Sequence, residues 1–497
     1  MIRFATLLFF IFLTSDLFPN NFYHEEGRKY YINKNYEQAK ENFKQSTEDN
    51  DDGDSYYFLG EIEKIAQNYK EAENFFEIAI RKETSEKYLK NAYWNLIVLK
   101  EQSKDFPNLI KVCREMWLTL KSDTAKKKAE KIINRFLWSD NQKAIEAYQQ
   151  TAFLEKTEEV FTKLKEAIFF DSKFLAPKID LGLIAYKKKD YETAVQYFSE
   201  IVYEVPFYAE AHLLLGDIYL KKRFYSLANE HFHRAWSYGF LESNLVYELK
   251  FKISTCFYNQ QNYLKAQENL QEAITIKGET FESLVLLSSI YSKEGNFQEA
   301  LNSLDKANSL KEGSPLILFK KGSIYYQLGD DLFISYFKDL FEITKNNEAV
   351  RSDQYLQAFT LLIKPFFKSK NYEQVLEIFS FLPNSFLDYE KILILGKANY
   401  YQGNYLSAIN YFEQISLNKE DKWLLCLAYL KNGRTDLVQK VLLELSNLYN
   451  EDDFLSLIEK EDGLKKNWQD LKTDQKILEE NLDNQPNFSP AKDLIEL

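Results

Sequence analysis

Residues Phe207–Phe240 read FYAEAHLLLGDIYLKKRFYSLANEHFHRAWSYGF, and this stretch gives the clearest indication of how the chain folds. Its apolar residues follow the 3.6-residue period of two amphipathic helices, which are joined by a short polar turn. Ala228 follows Gly216 by twelve residues, and Phe232 follows it by sixteen. Because two helices approach closely only where a small residue faces the partner, Gly216 and Ala228 predict a tightly packed hairpin, with Phe232 filling the remaining gap.

The same spacing recurs with a period of about 34 residues, which is the length of one helical hairpin. The small residues that mark the units are Gly27, Gly60, Gly182, Gly216, Ser254, Ser288, Gly322 and Gly396. An Ala stands twelve residues after each of them except Gly322, where Ile334 stands, and a Phe or Leu stands sixteen residues after each except Gly322, where Lys338 stands. Eight residues after the small residue, every unit but that of Phe224 has Asn or Asp. Since Asn and Asp tolerate left-handed backbone and bond to nearby backbone groups, we expect them to end one helix and begin the next.

Composition supports an array of hairpins rather than several separate cores. A chain of 497 residues exceeds what one hydrophobic core usually covers. It has only 15 Gly and 9 Pro, while 45% apolar and 28% charged residues suit amphipathic helices. The formal net charge of −12 argues against a nucleic-acid partner, because phosphate recognition needs clustered Lys and Arg.

Units with this pattern resemble tetratricopeptide repeats, and the resemblance covers about Asn21 to Tyr449. It implies an all-α fold, a right-handed superhelical solenoid of antiparallel helix pairs. We therefore divide the chain into a signal peptide or N-terminal anchor (1–20), N-terminal repeats (21–120), a central array (121–345), C-terminal repeat-like units (346–449), and a capping helix with a flexible tail (450–497).

Two stretches disturb the period. The interval from Ile97 to Tyr148 leaves room for an extra helix over Thr124 to Leu137, and the unit after Gly322 has lost its Ala. Neither stretch is rich in Gly, Ser or Pro, so we interpret both as bends or hinges in the array rather than as linkers.

Catalytic chemistry has no support in the sequence. Phosphate-binding glycine loops, nucleophile elbows and the HExxH zinc motif are all missing. His231 and His233 stand two apart on a predicted helix and so point in different directions, and Cys113, Cys256 and Cys426 lie far apart in helical patterns. We expect no catalytic residues, no cofactor and no metal, and therefore no enzyme.

Binding residues are predicted from the positions three before and four after the small residue of the first helix. In the family that the repeats resemble, first helices line a concave groove that holds a partner segment. Large apolar side chains at these positions are enriched in interfaces. The predicted groove consists of Ile179, Tyr186, Leu213, Leu220, Phe251, Tyr258, Phe319, Tyr326, Leu393 and Tyr400.

The N-terminus predicts export. Arg3 precedes ten mostly apolar residues, Phe4 to Leu13, and polar residues follow, which is the layout of a secretory signal. Ten residues are too few for a permanent membrane span, which needs about 20. We expect a periplasmic or cell-surface protein, or one anchored to the inner membrane by an uncleaved N-terminus.

The sequence thus predicts a scaffold or adaptor of the cell envelope that binds an extended or helical protein segment. We expect neither nucleic acid nor a small-molecule substrate as partner, and membrane association only through the N-terminal segment. Two alternatives stay open: a cytoplasmic or membrane-tethered regulator with the same repeats, and a non-catalytic module that supports an enzyme on another chain.

Overall fold

The computed structural model describes residues 22–155, 157–346 and 352–483, and these residues form 27 α-helices and no strand. The predicted segment 1–20 and residues 484–497 of the predicted tail lie outside the described residues. The helices are α1 (Phe22–Ile32), α2 (Tyr36–Asn50), α3 (Gly53–Ile65), α4 (Tyr69–Arg81), α5 (Glu86–Gln102), α6 (Phe106–Leu120), α7 (Asp123–Leu137), α8 (Gln142–Gln150), α9 (Thr157–Phe170), α10 (Leu175–Lys187), α11 (Tyr191–Glu204), α12 (Ala209–Lys221), α13 (Tyr225–Tyr238), α14 (Ser243–Asn259), α15 (Tyr263–Lys277), α16 (Phe281–Glu294), α17 (Phe297–Leu310), α18 (Pro315–Leu328), α19 (Leu332–Thr344), α20 (Asp353–Lys368), α21 (Tyr372–Phe381), α22 (Tyr389–Tyr401), α23 (Tyr405–Phe412), α24 (Lys419–Lys431), α25 (Thr435–Ser446), α26 (Glu451–Ile458) and α27 (Asp462–Asp483).

Helix pairs with the predicted close approach repeat along the chain, which confirms the all-α solenoid fold. A Cβ atom added to Gly216 would lie 2.5 Å from the ring of Phe232, and one added to Gly60 would lie 2.6 Å from the ring of Phe76. Where the small residue is Ser254, its hydroxyl donates to the carbonyl of Ala266 at 2.7 Å. The missing or short side chain on the first helix therefore sets the distance to the second.

The turns correct one prediction. Left-handed backbone falls on the residue directly before the Asn or Asp of the turn: Lys34 has φ 60° and Lys189 has φ 62°. Asn35 instead donates its backbone N–H to the carbonyl of Tyr30, which closes the first helix, while the side chain of Asp190 accepts from the N–H of Thr193 and caps the next helix. The reversal is therefore made one residue earlier, and the side chain caps the second helix at Asp190 but not at Asn35.

The unit after Gly322 keeps its packing with a spacing that is one residue shorter. The ring of Phe337, fifteen rather than sixteen residues after Gly322, lies 2.5 Å from where a Cβ of that glycine would be. The stretch from Gly322 to Phe337 is one residue shorter than that from Gly216 to Phe232, although three residues separate the two helices in both hairpins. Lys338 was therefore the wrong residue to compare with Phe232 of the reference unit.

Contacts divide the described chain into two compact units, one up to Glu294 and one from Gly295. In the second unit, the predicted terminal cap consists of two helices, α26 and α27. Phe454 and Ile458 of α26 and Leu464 of α27 are buried against the preceding helices. The division into five segments stays a prediction.

The stretch that we interpreted as a hinge in the first unit is a packed junction. The predicted extra helix exists as α7, and Ile132 of α7 shares a core with Phe207, which follows α11. Arg114 of α6 donates from Nε to the carbonyl of Gly239 at 2.9 Å, 125 residues further along the chain. Its guanidinium also lies 4.3 Å from the centre of the Trp236 ring. Helices α6 and α7 are thus held against a later repeat.

Of the helices described, none combines the length and apolarity that a bilayer crossing requires.

Candidate protein-interaction surface

Six of the ten predicted groove residues lie on α10, α12 and α14 of the first unit, and together we call them the A-helix surface. All six are half-buried: their inner atoms pack against the cores of the repeats, and their outer atoms reach solvent. The six are Ile179, Tyr186, Leu213, Leu220, Phe251 and Tyr258. The recurring offset from the small residue therefore brings side chains of successive repeats to equivalent places. These side chains also contribute to stability, so they are not freely replaceable.

A polar network that the groove prediction did not include crosses this surface. Asp217, directly after Gly216, is contacted by Lys221 Nζ at 2.8 Å and by Lys252 Nζ of the next repeat at 2.8 Å. The hydroxyl of Tyr186, from the preceding repeat, donates to the same carboxylate and accepts from Lys221 Nζ at 2.6 Å. Three consecutive repeats are thereby joined through one carboxylate.

The charge of this network is fixed across the physiological pH range. Burial alone would raise the pKa of the Asp217 carboxyl, but hydrogen bonds from Lys221, Lys252 and Tyr186 outweigh it and hold that pKa at about 2. Burial and the hydrogen bond to Asp217 raise the pKa of Tyr186 above its usual value. Two ammonium groups therefore share one carboxylate, and the network carries a net charge of about +1 beside half-buried apolar side chains.

An equivalent arrangement stands near the start of the array. Glu61 follows Gly60 as Asp217 follows Gly216, and Lys64 lies 3.4 Å from its carboxylate. Lys64 Nζ also donates to Asn95 of the next helix pair at 2.6 Å. At two places in the array, a carboxylate just after the small residue thus belongs to a polar link between neighbouring repeats. An Asp or Glu at that position is the signal that could have identified the network from the sequence.

The other four predicted residues lie in the second unit. Phe319 is half-buried with its ring centre 5.3 Å from that of Tyr355, and Leu393 and Tyr400 pack against a core. Only Tyr326 among the ten is exposed, with 49% of its surface accessible. These four residues are not part of the A-helix surface.

The polar cluster most similar to a catalytic triad is built for capping. Ser55 Oγ and Asp52 Oδ2 both lie 2.8 Å from the same nitrogen, Nδ1 of His24. A nucleophile and an orienting carboxylate must contact opposite ring nitrogens, so this arrangement cannot relay a proton from serine. Asp52 accepts from the backbone N–H groups of Asp54 and Ser55, and Ser55 is fully buried. The cluster therefore begins α3.

The remaining histidines and cysteines are also held in packed positions. His231 lies with Nδ1 2.9 Å from Nδ1 of the buried His212, whereas His233 is exposed, so the two do not share a ligand. Burial raises the pKa of the Cys113, Cys256 and Cys426 thiols to about 12. Neutral, buried thiols are poor nucleophiles and poor metal ligands. Within the described ranges, no three His, Cys, Asp or Glu side chains are grouped to hold a metal ion.

Comparison with known proteins agrees with the repeat pattern. Family models described as "Tetratricopeptide repeat" match residues 179–235 and 281–313. A curated relative, the "BBSome complex member BBS4 homolog" of Drosophila melanogaster, is 23% identical over 339 residues, which cover 64% of each chain. The alignment thus spans slightly less than two thirds of that relative's length.

Solved structures with similar local architecture have low identity. YrrB, "a TPR protein with an unusual peptide-binding site", is 18% identical with a TM-score of 0.32 and covers 37% of this chain and 93% of its own. A tetratricopeptide repeat protein from Parabacteroides merdae is 16% identical with a TM-score of 0.30, covering 50% and 97%. Yeast Tom70 is 12% identical with a TM-score of 0.26, covering 94% and 99%. Because these TM-scores lie below 0.5, they support no functional inference.

Proposed function

We propose that this chain, which is a tetratricopeptide repeat protein, is an interaction scaffold that holds a segment of a partner protein on the A-helix surface. One observation carries the proposal: apolar side chains recur half-exposed at the same two positions of three successive A helices, around a shared Asp217 network. A repeating surface suits a repeating ligand, which means an extended or helical polypeptide.

The chemistry of the surface defines the segment. Aromatic and aliphatic side chains such as Tyr258 and Leu220 offer large contact area, which is what binding hot spots use. Lys221 and Lys252 keep 43% and 36% of their side-chain surface accessible while bound to Asp217. The surface therefore fits a segment that alternates apolar side chains with a carboxylate placed against these lysines.

The role of the curated relative agrees with a scaffold. Its name describes a member of a protein complex. We accordingly propose that this chain works within a multiprotein assembly, without itself catalysing a reaction and without a nucleic-acid or small-molecule substrate. A chain built mainly of stacked repeats presents surfaces rather than an enclosed reactive site.

Site-specific photo-cross-linking tests this function. A photoreactive phenylalanine analogue placed at Tyr258 should capture a discrete partner in the native cell, whereas the same analogue at Leu264 should not. Leu264 lies on the neighbouring α15, is 66% exposed and is outside the A-helix surface. Equal capture at the two positions would contradict the proposal, because it would mean that partners contact the chain without preferring the A-helix surface.

We also propose that the scaffold works in the cell envelope. The support is Arg3 followed by the apolar run Phe4 to Leu13. Changing Phe9 and Phe10 to Asp should leave most of the protein in the cytoplasm, because two charges in the run defeat membrane insertion. Fractionation with an antibody to the chain measures this, with Phe9→Leu and Phe10→Leu as the matched control. Full delivery of the Asp variant to the envelope would mean that the N-terminus is not an export signal.

A further inference from the structure

A cavity of about 850 Å³ lies in the first unit, at the end of α7 and beside α9 and α11. Its lining includes Arg135 and Trp138 from the end of α7, Lys165 and Phe169 from α9, and Glu204 from α11. None of these residues belongs to the A-helix surface. The volume is within the range of sites that bind a ligand or a few side chains of a peptide.

Two large aromatic rings border the cavity in unusually exposed positions. Phe169 keeps 85% of its surface accessible, and its ring centre lies 5.8 Å from that of its own neighbour, Phe170. Trp138 is 49% exposed, and its ring centre is 5.4 Å from that of Phe174, which fixes the indole at the rim. An exposed Phe beside an anchored Trp has much to gain from covering, since burial of such rings contributes strongly to interfaces.

The charge around these rings is opposite to that of the chain. Lys178 is buried and pairs with Glu200 at 2.6 Å, so these two lining residues cancel. Among the lining residues, Arg135, Lys165 and Lys173 remain as three exposed cations against the carboxylate of Glu204. Outside the lining, Arg135 also lies 3.8 Å from Glu101, but that carboxylate is neutralised by Lys128 at 2.6 Å. The rim is therefore positive by about two charges in a protein whose formal net charge is −12. Association with a negative partner is favoured here and disfavoured over most of the remaining surface.

We propose that this cavity is a second docking site, and that it takes an acidic protein segment that carries an aromatic or large aliphatic anchor. The anchor enters the cavity between Trp138 and Phe169, and its flanking carboxylates lie against Arg135, Lys165 and Lys173. Arg135 lies on the junction helix α7, and α7 shares a core with residues of the α10–α11 repeat. This packing brings the lining residues of the cavity together. The site extends the scaffold role to a second partner segment and does not depend on the A-helix surface.

A nucleic-acid strand is the other polyanion that cations and exposed rings could attract. The observations favour protein, because the cations border a cavity rather than a continuous basic stripe, and acidic side chains such as Glu204 interrupt them. A strand would track along cations and stack on rings, whereas a single anchor fills a cavity. Removing the aromatic anchor from an acidic peptide should therefore weaken its binding, whereas a nucleic-acid strand needs no such anchor.

Fluorescence anisotropy with the full chain tests the site. The probe is a short fluorescein-labelled peptide rich in Asp and Glu with one central Phe, compared with versions that have Ala for Phe or Lys for the acids, and with a labelled single-stranded oligonucleotide. We expect the acidic Phe peptide to bind at least about tenfold more tightly than the other three probes.

Three variants and a control locate the binding. Phe169→Ala, Arg135→Glu and Lys165→Glu should each weaken the acidic Phe peptide about tenfold. Lys127→Glu, an exposed lysine on the same helix as Arg135 but outside the cavity, should change its affinity less than twofold. Phe169 is so exposed that its truncation leaves folding intact, as a melting curve verifies. Tyr258→Ala on the A-helix surface should not affect this probe, which separates failure here from failure of the proposed function.

Two results would overturn the proposal. One is binding of the peptide that neither Phe169→Ala nor the charge reversals weaken, which would put the peptide elsewhere. The other is oligonucleotide binding as tight as that of the acidic Phe peptide, which would mean recognition of negative charge alone.

Discussion

Ala228 shows how much one small side chain controls in this array. Ala228 lies fully buried on α13, in the hairpin whose close packing Gly216 of α12 allows. A carboxylate placed there has no partner and no water, so we expect Ala228→Glu to destabilise the first unit by at least about 3 kcal/mol. Urea unfolding followed by circular dichroism measures the loss.

Ser226→Glu is the matched control for that substitution. Ser226 is exposed at the start of the same helix, where an acidic side chain interacts favourably with the helix dipole. Its unfolding midpoint should stay near that of the parent chain. A neutral result for Ala228→Glu would mean that this position does not face a packed helix.

His212 makes the stability of the first unit depend on pH. It is fully buried, its Nε2–H donates to the carbonyl of Pro206 at 2.9 Å, and its Nδ1 accepts from His231. Burial lowers the pKa of His212 from 6.5 to about 4, and the nearby charges of Glu230 and Arg234 act in opposite directions. The folded chain therefore holds His212 with a neutral ring at neutral pH.

The direction of the pH effect follows from this lowered pKa. The unfolded chain takes up a proton at His212 near pH 6.5, and the folded chain does so only near pH 4. Stability is therefore unaffected above pH 6.5 and falls by up to about 3 kcal/mol as the pH drops from 6.5 to 4. Thermal melts between pH 7 and pH 5 should show a shallower decline for His212→Leu than for the parent. His233→Leu should flatten the decline less, because burial also lowers the pKa of His233 but its ring is exposed. Parallel slopes for parent and His212→Leu would contradict the assignment.

The junction of α6 with α13 is held by a contact between distant elements. Arg114 satisfies the carbonyl of Gly239 and stacks over Trp236. Arg114→Ala removes a charge-assisted hydrogen bond and a cation–π contact and leaves a carbonyl unpaired, so we expect a loss of about 2 kcal/mol. Hydrogen exchange should rise in residues 106–120 and 225–240 before it rises elsewhere.

Arg81→Ala serves as the control for the junction. Arg81 is 75% exposed, and its nearest carboxylate, Glu77, lies 3.9 Å away on the same helix. Such a surface pair contributes less than about 0.5 kcal/mol. If Arg114→Ala behaves like Arg81→Ala, α6 and α13 are coupled by apolar packing alone, and Arg114 does not stabilise the junction.

Pairs of helices were the most predictable elements, because their signal is local. Gly216 and Phe232 stand a fixed distance apart in one hairpin, and the structure brings them into contact. The hairpin of α18 and α19 was harder to recognise, since the Phe that packs on Gly322 stands fifteen rather than sixteen residues after it. The role of Asn35 was mistaken because the left-handed residue, Lys34, stands directly before it.

Features that join distant repeats were only partly predictable. The pairing of Asp217 with Lys252 follows the repeat period and could have been found by aligning successive units. The contact of Arg114 with Gly239 spans 125 residues and follows no period, so neither the junction nor the cavity beside it has a local signal. The apolar A-helix positions recur at equivalent places, and their half-burial depends on packing between repeats, while their role as binding residues stays a prediction.

Across the chain, the account rests on the A-helix surface binding a partner segment, and one affinity comparison tests this most directly. With the partner captured at Tyr258, dissociation constants are measured for the parent, Tyr258→Ala and Leu264→Ala, well below their melting temperatures. We predict that Tyr258→Ala weakens binding about 30-fold, or about 2 kcal/mol, while Leu264→Ala binds like the parent. Parental affinity of the Tyr258→Ala protein, or an equal loss in both variants, would contradict the account.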